Sequence, residues 1–256
     1  TRDQIWTDSA LHFIDDFFNS AYYDREQGQK PLLLKLSLLQ PHYPYQTDHE
    51  RFTYYLNRVD PYLNQNVFEH PFLRQRCVIP GKDVSERELR RAVAAYYGMV
   101  ETIDDHYQSV LSALEHVGQN LDEWIIIYTS DHGEMLGQHG IWEKQKFFEA
   151  SARVPLIIRF PQHFEPITVR ENVNLCDLFA TLCDLVDVPC PSGLDSRSLV
   201  SLMTGQNDDW SNETVSQFGS TNLMIKQDHL KYQYYGRNGP EVLFNLKIDP
   251  SETKNF

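Results

Sequence analysis

Four side chains in this sequence carry chemistry that packing alone does not require. Asp131 and His132 stand side by side in Thr129-Ser130-Asp131-His132-Gly133, directly after the apolar run Ile125-Ile126-Ile127-Tyr128. The carboxylate offers hard oxygen and the imidazole offers nitrogen, a donor pair suited to a divalent cation. Lys144 follows thirteen residues after the aspartate and brings an ammonium group. His42 lies far upstream in Gln40-Pro41-His42-Tyr43-Pro44, again where an apolar run gives way to a loop. An imidazole in such a place can transfer protons. It can equally be a loop histidine that hydrogen-bonds locally.

These residues need elements to hold them. Ile125–Tyr128 and Arg153-Val154-Pro155-Leu156-Ile157-Ile158 read as buried strands, short apolar runs bounded by turn formers. Polar groups at the C-terminal end of such a strand sit where open α/β sheets place their ligand sites. Glycines at 133, 137 and 140 let the backbone turn tightly after it. The run Leu32–Leu39, which leads to His42, is too apolar for a half-exposed edge and reads as a central strand of a parallel sheet. Lys35 within it reads as a structural residue that snorkels out of the strand. Helices are predicted over 7–27, capped by Asp8 or Ser9, and over 172–188. Another is predicted over 84–117, where Ser85 and Glu88 form a capping box and Gly118 ends the helix. Asp104-Asp105 falls inside this amphipathic helix and reads as a solvated or salt-bridged face. Residues 46–83 show little periodicity and read as a long excursion. Its charged residues His49, Arg51, Arg58, His70, Arg74 and Arg76 could meet an anion, although solvated loop charges are the plainer reading of each. From 213 onward, Thr214–Phe218, Leu223–Ile225, Leu230–Tyr235 and Glu241–Leu246 alternate with turn signals such as Asn238-Gly239, which predicts a small antiparallel sheet.

The string SDHGEMLGQHG, then W-E-K, then RVPLIIRFP resembles the second metal-binding segment of the sulfatase family in the alkaline-phosphatase superfamily. The Asp-His version, with its lysine at this distance, is most similar to the iduronate-2-sulfatase and choline-sulfatase branch, and phosphonate monoester hydrolases share it. PLLLKLSLLQPHYPY resembles the family's strand followed by P-H-x-P. PCPSGLDSRSLVSLM resembles its P-x-x-x-G-x-S-L segment, and LFNLKIDPSETKNF its L-Y-D-L-x-x-D-P-x-E ending. The resemblance implies an α/β fold, an alkaline-phosphatase-like, mostly parallel sheet flanked by helices and incomplete at its N-terminus. Residues 1–210 would form the C-terminal portion of that core, and 211–256 a small antiparallel β subdomain. By the same resemblance, Asp131 and His132 would bind a divalent cation, calcium in sulfatases or manganese in some phosphonate hydrolases. Lys144 would contact the sulfate, His42 would serve near the leaving group, and His139 would be a turn or supporting residue. The expected reaction is metal-dependent hydrolysis of an anionic sulfate ester. A phosphonate or phosphate ester hydrolase and a non-catalytic scaffold are the alternatives.

The family's nucleophile is a formylglycine made from the cysteine of C-x-P-x-R, and no C-x-P-x-R or S-x-P-x-R occurs here. Cys190 has proline directly after it and no arginine at the required place, so it is not that nucleophile. The chain is therefore expected to supply only part of an active site, with an upstream segment of the same protein as its partner. Its formal net charge of −13 argues against nucleic acid, but local cations and a metal can still recruit a small anion. No apolar run reaches the length of a membrane span. Cys77, Cys176, Cys183 and Cys190 form no C-x-x-C pair. Cys176 and Cys183 share a face of the helical pattern and read as buried free thiols, which points toward a reducing, cytoplasmic compartment.

Overall fold

A computed structural model of the chain describes residues 1–20, 31–62, 83–144, 146–206 and 209–256. Among these, the chain forms two compact units that part between Trp124 and Ile125.

The first unit is helical. Helix α1 (Arg2–Asn19) begins at Thr1, whose hydroxyl accepts the Gln4 N–H. It therefore starts five residues before the expected start at residue 7 and is capped by neither Asp8 nor Ser9. Residues 21–27 lie outside the described residues. Helix α2 (His49–Leu56) occupies part of the segment read as an aperiodic excursion. Its signal was an N-cap: the Asp48 carboxylate accepts the Arg51 N–H before apolar residues at 52, 55 and 56. Residues 63–82 of that excursion, with His70, Arg74, Arg76 and Cys77, lie outside the described residues. Helix α3 (Glu86–His116) carries the predicted capping box between Ser85 and Glu88. Gly118 follows at φ 84, a left-handed stop that glycine adopts without strain. Ala10, Ile14 and Phe18 of α1 meet Val110 and Leu114 of α3 in the core.

Leu32, Leu34 and Leu36 pack against that core. The run is extended, as read, but it pairs with no strand among the described residues, and its other face is open: Leu33 is 82% exposed. The reading of a strand covered on both faces is corrected accordingly. Alternation of inward and outward leucines is what a chain with period two gives when only one side has a neighbour.

The second unit, Ile125–Phe256, holds two sheets. Strand β1 (Ile126–Thr129) pairs antiparallel with β2 (Leu156–Arg159), Ile126 opposite Arg159 and Thr129 opposite Leu156. Both strands lie where predicted, but they are half-buried rather than buried, and Ile157 is exposed. The described core ladder is thus antiparallel, within an α/β chain. In sequence, the short helix α4 (Glu149–Ala152) precedes β2 and α5 (Asp177–Leu185) follows it, with a single turn α6 (Val200–Met203) after that. The predicted helix over 172–188 shrinks to α5, because the Asn174 and Asp177 side chains accept the Cys176 and Asn174 N–H groups and hold the preceding residues in a local turn. Cys176 and Cys190 are exposed and Cys183 is half-exposed, so the described cysteines are not the buried thiols expected.

The C-terminal strands β3 (Glu213–Phe218), β4 (Asn222–Gln227), β5 (Leu230–Tyr235) and β6 (Glu241–Asn245) form an antiparallel meander. Asp228, at φ 50, turns the tight β4–β5 hairpin. Met224, Tyr235, Val242 and Phe244 on one face of this sheet share a core with Met135, Ile141, Phe147 and Phe148. The sheet and the loop after β1 are therefore one hydrophobic unit, whereas the division at 210/211 follows the change of sequence pattern.

Candidate functional site

The loop after β1 is built to return on itself. Gly133 N–H donates to the Ser151 carbonyl at 2.8 Å, and a Cβ at this position would lie 2.0 Å from the Ala150 oxygen. Only glycine allows the backbone to pass so closely. The Glu134 carboxylate accepts the N–H groups of Leu136 (3.1 Å) and Glu143 (2.5 Å), and Met135 N–H reaches the Glu143 carbonyl at 2.8 Å. Leu136, Gly137, His139, Gly140 and Glu143 all take positive φ. These bonds hold a crowded turn in place.

At the mouth of this turn, Asp131 is 86% exposed, and one of its oxygens accepts the His132 N–H at 2.9 Å. The His132 Nδ1 lies 2.8 Å from the Gly133 carbonyl. That contact puts the ring proton on Nδ1 and leaves the Nε2 lone pair as an acceptor, the arrangement that orients metal-binding histidines. Nε2 is 3.8 Å from the second Asp131 oxygen. An oxygen and a nitrogen donor thus lie side by side at the mouth of the turn. Among the described residues no group of three or more metal-ligating side chains forms.

Asp131, His132, Lys144 and Lys146 line a cleft of ≈ 1790 Å³ in the second unit. Arg153 and Arg170 also line it, together with acidic residues such as Glu165 and Glu171. Sequence reasoning named Asp131, His132 and Lys144, and the structure brings them to one cleft. It did not name Lys146 as a lining residue.

His139 is 1% exposed and stacks on Phe148, their ring centres 4.4 Å apart. Loss of hydration pushes its pKa down to about 4, against a smaller opposing pull from Asp249. It is a neutral ring inside the turn, in keeping with a turn residue. Beneath the turn, the buried Lys231 ammonium donates to the Phe147 carbonyl (2.7 Å) and to Glu252 (2.7 Å), and lies 2.6 Å from Glu149. The second Glu252 oxygen accepts the Glu149 N–H at 2.7 Å. Burial raises the Glu252 carboxyl against the pull of Lys231. Burial also acts to raise Glu149, but Lys231 and Lys226 together hold it low. No sequence signal marked this cluster, because its members come from β5, α4 and the C-terminal tail.

His42 belongs to the first unit. Its Nδ1 lies 2.8 Å from the Tyr43 carbonyl, and its ring lies against Tyr43. Peptide bonds Gln40–Pro41 and Tyr43–Pro44 are cis. Asp3 of α1, 2% exposed, accepts the N–H groups of Leu39 and Gln40, both at 2.8 Å. Sequence reasoning missed Asp3, the residue that fastens the His42 turn to a helix. Of the charges in the excursion, Arg51 is already engaged by Asp48, Glu101 and Asp105. Asp105 is thus the salt-bridged surface residue expected.

The family model for sulfatases matches residues 1–188, and that for the C-terminal part of N-sulphoglucosamine sulphohydrolase matches 137–256. The chain belongs to the sulfatase family. An arylsulfatase of Clostridium perfringens is 30% identical over 91% of this chain and 50% of its own length. A choline-sulfatase of Rhizobium meliloti is 29% identical over 90% and 47%. Arylsulfatase K of Danio rerio is 30% identical over 100% and 53%. This sulfatase chain spans about half the length of the curated relatives it matches. Among solved structures, the phosphonate monoester hydrolase of Agrobacterium radiobacter superimposes with a TM-score of 0.80 at 23% identity, over 100% of this chain and 56% of that one. A protein solved with its substrate D-glucosamine-2-N,6-O-disulfate gives 0.59 at 24% identity, over 72% and 40%. Both likenesses establish the fold. Among the described residues, no helix is long and apolar enough to cross a membrane.

Proposed function

We propose that this chain supplies part of the active site of a sulfatase that hydrolyses sulfate monoesters with a divalent cation. The observation that carries the reading is the cleft lined jointly by Asp131, His132 and Lys144, inside the span matched by the sulfatase model. Asp131 and His132 would hold the cation, calcium by likeness to sulfatases. Bound there, it would offset the ester's negative charge and activate an oxygen nucleophile. The two donors fit such an ion in type but fall short in number, since a calcium ion takes about six or more ligands. The remaining ligands and the nucleophile are assigned to an upstream segment of the full-length protein. Lys144 would pair with the sulfate oxygens and stabilise charge as it grows on them. His42 would protonate the leaving oxygen as the ester bond breaks.

The test uses the full-length protein made from its native gene. Intact mass should reveal a longer chain, or an upstream polypeptide that carries the formylglycine conversion. Aryl sulfate should turn over faster than the matching aryl phosphonate. Lys144→Ala should lower kcat by about 10²–10³-fold, as loss of one charge-stabilising donor does. Calorimetry should show calcium binding that disappears in Asp131→Ala. Faster turnover of the phosphonate ester would move the assignment to a phosphonate hydrolase. No turnover and no metal binding would make the protein a scaffold.

A further inference from the structure

Lys231 is an ammonium group on β5 with no exposed surface. It has three N–H groups to place, and three oxygens surround it: the Phe147 carbonyl and Glu252 Oε1, each at 2.7 Å, and Glu149 Oε1 at 2.6 Å. Glu252 is equally enclosed, and its second oxygen accepts the Glu149 N–H at 2.7 Å. The Phe147 carbonyl also accepts from the buried Gln233 amide at 3.3 Å, and the Tyr235 hydroxyl fixes that amide from its other end at 2.7 Å. A buried ion cluster is a poor source of net stability, because stripping its charges of water offsets their attraction. What it supplies is direction. Lys231 and Gln233 of β5 and Glu252 of the C-terminal tail all aim at one stretch of backbone, 147–149.

That stretch anchors the candidate site. Lys144 lies three residues before Phe147. On its other side Glu143 is held by two bonds, its N–H to the Glu134 carboxylate at 2.5 Å and its carbonyl to the Met135 N–H at 2.8 Å. Lys144 thus stands on a short span fixed at both ends, at Glu143 by the turn itself and at Phe147 by the C-terminal sheet. Past Glu149 the chain enters α4, where the Ser151 carbonyl accepts the Gly133 N–H, one residue from His132. The placement of Lys144 relative to Asp131 and His132 is therefore set through 147–151.

We propose that Lys231 and Glu252 are positioning residues for Lys144 in sulfate ester hydrolysis, an inference that rests on the reading of Lys144 as the group that meets the sulfate. Both are fully buried, so neither meets the ester itself. Lys231 grips the Phe147 carbonyl and Glu252 the Glu149 N–H, and together they fix where the Lys144 backbone enters the cleft. A charge-stabilising group acts only where its supports hold it, and a misplacement of about 1 Å can cost about 10²-fold in rate.

The experiment follows aryl sulfate hydrolysis by the full-length protein, with circular dichroism to verify that each variant is folded. Glu252→Gln keeps the size of the side chain but leaves one acceptor where two are used. It should lower kcat by about 10–10²-fold and kcat/KM by the same factor, the signature of an interaction made in the transition state. In a Lys144→Ala background the same change should cost little more, since an absent lysine cannot be misplaced. Thr181→Val deletes a buried hydroxyl that accepts the Leu199 N–H; it weakens α5 rather than this cluster and should leave kcat as it is. Where Glu252→Gln does not fold, Gln233→Leu, which removes the weaker bond to Phe147, should give the same pattern at smaller size. Three results would overturn the proposal: a folded variant with parental kcat, the full loss repeated in the Lys144→Ala background, or the same loss in Thr181→Val. Failure of the underlying reading looks different, because there the parent itself turns over no aryl sulfate.

Discussion

His139 offers a quantitative check on the turn that carries the candidate site. The ring is buried against Phe148, and its pKa falls to about 4 because burial strips the charged form of water. In the unfolded chain a histidine titrates near 6.5, the value from which this one is displaced. The unfolded chain therefore takes up the proton first as pH falls. Between those two values it holds more protons than the folded chain, so stability declines with falling pH. The stabilisation is whole above the unfolded value and is lost on the way down to the folded one. The full gap is worth about 3 kcal/mol, of which about 2 kcal/mol is lost between roughly pH 7 and pH 4.5. His139→Asn removes the titration while keeping a residue that tolerates the left-handed backbone at φ 56. Carboxylates that titrate over the same range are common to both proteins and cancel in the difference. Urea titrations at the two pH values, read by hydrogen exchange in peptides spanning 133–148, should show wild type losing about 2 kcal/mol more than the variant. Equal losses would refute the account of His139 as a buried neutral ring.

Three further outcomes test the supports around the site. Lys231→Met strands the fully buried Glu252 beneath the turn and leaves Glu149 with Lys226 alone, and should cost about 3–5 kcal/mol by denaturant titration; the double change with Glu252→Gln should restore part of it. Gly133→Ala drives a methyl group into the Ala150 carbonyl; it should destabilise by about 1–3 kcal/mol or more and loosen exchange protection at 149–152. Asp3→Ala leaves the Leu39 and Gln40 N–H groups without their buried acceptor. The loss, about 1–3 kcal/mol, should appear first as faster amide exchange at those two positions, and Asp3→Asn should recover part of it.

How much of this was legible in the sequence follows from the range of each interaction. The capping box of α3, the stop at Gly118 and the four strands β3–β6 depend on neighbours a few residues away, and the sequence displays them directly. Asp131 and His132 could be placed at the end of a strand, and Gly133 in a tight turn, because strand and turn chemistry are equally local. Helix α2 was legible too, through the Asp48 cap, but its single apolar cluster is too short to register as periodic. Exposure was harder to read. An apolar run such as Leu32–Leu39 states that it will be extended; whether one face or both are covered depends on what packs there. What only tertiary structure decided are the polar contacts between distant segments. Asp3 reaches residues 39 and 40, Lys231 joins Glu149 to Glu252, and Asp131, His132 and Lys144 meet along one cleft. A buried charge is tolerable only with its partner in place. That partner is fixed by how the chain closes, which no local pattern encodes.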